Sequence, residues 1–313
     1  MVSTIFEDDR ISVHFVPTQG DCSGIAALSY SPMNHNFAAK GIPARAALLS
    51  MKFDVFGIIA KQNNWYPQAS LKAAAAVLLP RLQSYRKRWA YGSSMGAYGA
   101  IKYSALMGCD YVLALAPQCS IDPTDVAPWD SRFTRHFSPA LNAGMKIRSS
   151  DMAGRIVIIG DPMLAADLRH FELIEQCGEV TLIPAYFCDH YVVNPIASRQ
   201  ILAALFNAIQ KGDLASAREI YRKARKGSNY YRGSLMQALA RRRLQQGRLD
   251  AALAASTAAT EALPDNADFL VTKSRIHTRR KERDAAIAAA SRALELNPTR
   301  EWYHQIMRDA ESG

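Results

Sequence analysis

Apolar positions in the first two thirds of the chain fall into short runs of strand length, divided by stretches with helical spacing. Ile11 to Pro17 alternates apolar and polar residues, and Gly24 to Tyr30 makes a second strand. Phe53 to Ala60 is apolar without a break, as a strand buried on both faces would be. Trp89 to Tyr91, Tyr111 to Ala116, Arg155 to Gly160 and Glu179 to Pro184 supply four more. Between them the spacing predicts an alanine-rich helix ending near Tyr85, a helix rich in small residues after Gly96 and another from about Ala166 to Cys177. A further helix is expected from Asn194 to Gln210, with Pro195 in its first turn. Strands and helices that alternate in this way imply an α/β fold, a mostly parallel sheet with helices on both faces. One long polar loop, Gln118 to Lys146, interrupts the rhythm and carries Trp129, Phe133, His136 and Phe137, which suits either a partial lid or acyl pocket, or aromatics packed on their own scaffold.

Beyond Gln210 the pattern becomes all helical and repetitive. Asp250-Ala-Ala-Leu253 recurs as Asp284-Ala-Ala-Ile287 and Pro264 as Pro298, each 34 residues later, and Gly212 anticipates Gly247 by 35. This period, with small residues at set points and a closing proline, resembles tetratricopeptide repeats, although the tryptophan and tyrosine usual in the first helix are missing. Ala252, Ala259, Ala286 and Ala293 are the positions expected to let neighbouring helices approach closely. The expected organisation is therefore a sheet-containing domain over 1–210 and helical repeats over 211–313. Counting back one repeat from Gly212 makes the helix at 194–210 common to both.

Charge sharpens this division. The net charge is +10, yet residues 1–210 hold 18 Lys+Arg against 16 Asp+Glu, while 211–313 hold 20 against 12. The basicity belongs to the repeats and says little about chemistry upstream. Arg241 and Arg275 stand one repeat apart and Arg279 one turn further on, at positions that the resemblance places in a concave groove. A solvated basic face and a groove for an acidic protein or polymer are both open. A nucleic-acid role is disfavoured because no nucleic-acid motif occurs and aromatics are sparse among the arginines.

Hydrophobic residues at 49% and charged residues at 21% describe an ordinary folded chain. Five cysteines without metal-type spacing read as reduced thiols. The opening MVSTIFEDDR is acidic where a signal peptide would be basic, and the longest apolar run, Ala73 to Pro80, is too short to span a bilayer. These features predict a cytoplasmic protein without a membrane span.

Candidate chemistry centres on Gly92-Ser93-Ser94-Met95-Gly96, which matches G-x-S-x-G between a strand and a helix. Ser94 is the candidate nucleophile, and the Met95 N–H, at the helix start, the first oxyanion donor. In a parallel sheet the functional residues gather after the carboxyl ends of the strands, which singles out Asp161 after IVIIG and His190 after VTLIP. The order Ser, Asp, His resembles the α/β-hydrolase superfamily over roughly 10–210, through GSSMG, GDPMLAAD and CDH. The resemblance implies His190 as general base and acid and Asp161 as the acid that orients it, with Asp167 as the alternative. The loop after the second strand reads Ser31-Pro-Met-Asn34, so the second oxyanion donor falls to the Met33 N–H, with the Ser31 hydroxyl as a possible helper. The expected activity is hydrolysis of a carboxylic ester or thioester with neither metal nor organic cofactor. The competing expectation is a non-catalytic scaffold or accessory protein in polysaccharide or glycoprotein biosynthesis or export.

Overall fold

A computed structural model describes residues 2–37 and 41–312. Among them, eight strands form one sheet: β1 (Ser3–Glu7), β2 (Ile11–Val16), β3 (Ile25–Tyr30), β4 (Asp54–Ala60), β5 (Lys87–Ser93), β6 (Tyr111–Leu115), β7 (Arg155–Gly160) and β8 (Val180–Pro184), in the spatial order β1-β2-β4-β3-β5-β6-β7-β8. From β4 across to β8 all neighbours are parallel; β1 and β2 join antiparallel at one edge. All seven expected strands are present. The unexpected one, β1, is an exposed edge strand with Ser3, Thr4 and Glu7 among its five residues, so it lacks the apolar run that marks the others.

The side-chain alternation of the strands divides the core into two layers. Ala26, Leu28, Phe56, Ile58, Val112, Ala114, Ile156 and Ile158 face one way, onto α2 (Gln68–Leu82), α3 (Met95–Lys102) and α7 (Ala165–Glu175). Ala27, Val55, Trp89, Tyr91, Leu113, Leu115, Val157 and Ile159 face the other, onto α1 (Arg45–Ser50), α8 (Arg199–Gln210) and α9 (Leu214–Gly227). The helix after the serine turn ends at Lys102, and Tyr103 separates it from α4 (Ser104–Met107). The helix expected from Asn194 begins only at Arg199, with Ser198 in extended conformation as its N-cap, and 194–196 form a separate 3₁₀ turn. The long loop folds into short pieces, α5 (Pro123–Val126), a 3₁₀ turn at Thr134–His136 and α6 (Pro139–Asn142).

Five more helices follow: α10 (Asn229–Gln245), α11 (Leu249–Ala262), α12 (Ala267–Arg279), α13 (Arg283–Leu296) and α14 (Glu301–Ser312). The chain divides into two compact units, 1–224 and 225–313, so the division falls one helix later than the expected border at 210. In the second unit Ala252, Ala259, Ala286 and Ala293 are all fully buried, as close helix approach requires. Gly212 and Gly247 take left-handed backbone (φ 77° and 72°) at equivalent points after helices, and Lys281 takes it (φ 62°) one repeat further on. No helix among the described residues is long and apolar enough to cross a membrane.

Candidate active site

The serine turn follows β5, at the middle of the sheet. Ser94 has φ 53° and ψ −120°, a conformation rarely tolerated by a side-chain-bearing residue, and its N–H donates to Leu115 O at 2.8 Å. The flanking glycines make this possible. A Cβ on Gly92 would lie 2.1 Å from Gly96 O, and one on Gly96 2.5 Å from Tyr30 O. The backbone therefore doubles back against itself and against β3, and the serine oxygen emerges at the carboxyl end of the strands.

Ser94 Oγ lies 2.8 Å from His190 Nε2, and His190 Nδ1 lies 2.8 Å from an Asp167 carboxylate oxygen. An ionised carboxylate can only accept, so Nδ1 carries the proton and Nε2 accepts from the Ser94 hydroxyl. The carboxylate at the histidine is thus Asp167, in the first turn of α7, and not Asp161. Asp161 is fully buried but faces backbone: it accepts from Met163 N–H at 2.9 Å, Cys188 N–H at 2.9 Å and Asp189 N–H at 2.8 Å. Burial holds its pKa above the ordinary value against the pull of these three bonds. Its place directly after β7 made it the natural choice in the sequence. What it does is fasten the loop that carries His190, where Phe187 and Asp189 both adopt left-handed backbone (φ 61° and 48°).

Asp167 is equally buried, and burial works to raise its pKa. The hydrogen bond and charge of His190, together with Arg132, outweigh burial and leave the carboxyl below its ordinary value. Arg132 Nη2 sits 2.6 Å from Asp167 and 2.7 Å from Asp130, while its Nε donates to the other Asp130 oxygen at 2.8 Å. His170 Nε2 lies 3.1 Å from Asp130, and its Nδ1 accepts from Cys119 N–H at 3.1 Å. Burial would raise Asp130, yet its bonds from Arg132 and His170 hold it well below the carboxylate range; His170 is itself lowered by burial. Arg132, Asp130 and His170 carried no sequence signal. Asp130 and Arg132 lie in a loop of mixed composition and His170 lies on α7, and only folding brings them to the histidine.

The long loop is packed rather than free. Phe133 is buried, its ring centroid 5.6 Å from those of His190 and Trp65, and His136 stacks on Trp65 at 5.6 Å. Trp129 packs on His170 at 4.7 Å. The Ser31 hydroxyl is not available to an oxyanion: it is fully buried, lies 3.0 Å from Tyr66 Oη and accepts from Ala60 N–H. Met33 is partly buried in the turn after β3, beside Asn34, which exchanges two 2.8 Å hydrogen bonds with Asn63. Met95 opens α3, where helix N–H groups lack an intrahelical acceptor.

In the second unit, Arg241, Arg275 and Arg279 line one groove of about 500 Å³ with Trp302. The Arg275 guanidinium lies 5.8 Å from the Trp302 ring. Asp268 and Asp309 also line the groove, so its charge is mixed rather than uniformly basic.

The sheet order, the serine turn after β5 and the trailing helices define an α/β-hydrolase fold followed by helical repeats. Residues 243–309 match the tetratricopeptide-repeat family model. No curated protein matches the chain. Among solved structures, it is similar to the esterase domain of a Rhodothermus marinus protein (12% identity, TM-score 0.46, covering 66% of this chain and 95% of that one). It is also similar to an α/β serine hydrolase without lid from Xanthomonas campestris (16%, 0.39, covering 68% and 92%). A third is a putative thioesterase from a Silicibacter species (11%, 0.45, covering 64% and 81%).

Proposed function

We propose that the protein is a serine hydrolase that cleaves a carboxylic ester or thioester through an acyl-enzyme. The observation that carries this reading is the unbroken hydrogen-bonded line from Ser94 Oγ through His190 to Asp167, at 2.8 Å on each side of the imidazole. A serine hydroxyl is a poor nucleophile until a base removes its proton, and His190 Nε2 is within reach of that proton. Ser94 Oγ attacks the acyl carbon as its proton passes to Nε2. Asp167, ionised, holds the other ring N–H and stabilises the imidazolium that forms. The Met95 N–H, with the Met33 N–H as second donor, stabilises the oxyanion. His190 then returns the proton to the leaving oxygen or sulfur, and in the second half it deprotonates the water that releases the acid. The groove bearing Arg241, Arg275 and Arg279 is assigned to an acidic partner, separate from the chemistry.

The test is labelling by a fluorophosphonate probe. Wild type should label and lose esterase activity, while Ser94→Ala should do neither. Unlabelled wild-type protein would leave the fold as a scaffold, with the repeats carrying the function.

A further inference from the structure

We infer that Arg132 is a positioning residue for the reaction, a fixed counter-cation that keeps Asp167 ionised and aimed at His190; this rests on the hydrolase reading above. The two Asp167 oxygens have separate partners: Oδ1 meets Arg132 Nη2 at 2.6 Å, and Oδ2 meets His190 Nδ1 at 2.8 Å. Holding the carboxylate at both oxygens fixes its plane as well as its position. The side chain of Asp167 is 1% exposed, and a carboxylate so buried stays charged only beside compensating charge and hydrogen bonds. His190 supplies that charge only while protonated, whereas Arg132 is always charged.

The guanidinium is itself held from behind. Asp130 engages its Nε and Nη2 in a forked, two-oxygen pair, the geometry that suits arginine and not lysine. His170 Nδ1 accepts from Cys119 N–H, so the His170 proton is on Nε2 and points to Asp130. The next residue completes the clamp: the Phe133 ring lies 5.6 Å from that of His190 and 5.0 Å from the Arg132 guanidinium carbon. Residues 132 and 133 therefore grip both members of the Asp–His pair, and the loop that looked like a lid is tied into the site at its middle.

The charged groups acting on Asp167 are Arg132, His190, Asp161 and, beyond the arginine, Asp130 and His170. With Arg132 gone, only carboxylates and imidazoles remain. Asp167 would then take up a proton at higher pH and cease to orient His190. Where it stayed ionised, its uncompensated charge would favour the imidazolium. Both effects move the acid limb of activity upward.

The experiment uses full-length protein, p-nitrophenyl acetate as substrate and pH 5 to 9. Arg132→Met should lower kcat about 10- to 100-fold with little change in KM. It should also raise the acid limb of kcat/KM by about one pH unit. Arg132→Lys keeps the charge without the fork, so it should return the acid limb toward wild type while kcat recovers only in part. Asp130→Asn with Arg132→Met removes one stranded carboxylate, which restores the thermal melt but not the acid limb. A wild-type pH profile in Arg132→Met overturns the inference. So does a loss of kcat that follows the melt alone, with Lys no better than Met. Wild-type protein that neither labels nor hydrolyses overturns the hydrolase reading and this one with it. Labelled wild type beside an indifferent Arg132→Met overturns this one only.

Discussion

Asp161 and Asp167 are both buried carboxylates, six positions apart, and their partners separate their roles. Asp167 faces a ring nitrogen and a guanidinium, whereas Asp161 faces three backbone N–H groups. Asp167→Asn should leave the fold intact and lower kcat by about two to four orders of magnitude, because the amide offers the imidazole no charge and can favour the wrong tautomer. Asp161→Ala should strand three N–H groups at a cost of about 1–3 kcal/mol each, before relaxation and water recover part of it. Its main effect is a lower melting temperature, with a milder loss of rate from a loosened His190 loop. Ester hydrolysis and thermal melts on the two variants check this, and the reverse ranking of kcat would exchange the roles. The turn at Ser94 and the placing of His190 near it were legible in the sequence because a tight turn and a post-strand position leave local marks. The choice between two aspartates leaves none, since it depends on how the start of α7 folds back toward β8.

At the scale of elements, the informative pair is α8 and α9. The repeat period reads α8 as the first helix of the array, and its apolar cover, Ile201, Leu202, Leu205 and Phe206, is wider than one stripe. Leu202, Leu205 and Phe206 are buried in the layer that also takes Ala217 and Tyr221 from α9, with Leu214 packed against it. Tyr221 Oη donates to Val192 O at 2.9 Å, two residues past His190. We propose from this that α9 completes the sheet-containing unit and that its Tyr221 braces the histidine loop. A chain ending at Gln210 uncovers that layer, at about 25 cal/mol per Å² of apolar area exposed. It should melt lower than one ending at Gly227 and aggregate, as size-exclusion chromatography and a thermal melt would show. Equal behaviour of the two truncations would mean that α9 adds nothing to the sheet-containing unit.

For the whole molecule, the charge is uneven, with most of the net positive charge in residues 211–313. Charge reversal at Arg241 and Arg275 should abolish retention on immobilised polyglutamate while leaving ester hydrolysis unchanged; retention of the variant would reduce the groove to a solvated face. The sequence by itself determined the architecture. Strand-length apolar runs alternating with helical spacing specify a parallel sheet covered on both faces, and a 34-residue period specifies stacked helices, because both signals repeat locally along the chain. It also determined the tight turn that carries Ser94, since only glycine fits where that turn meets Gly96 and Tyr30. Tertiary structure alone decided the charge network. The line Ser94–His190–Asp167–Arg132–Asp130–His170 joins residues from four separate stretches of the chain. Beyond Ser94 and His190, each is an unremarkable loop or helix residue in the sequence, and their meaning comes from burial, which forces every charge to find its partner.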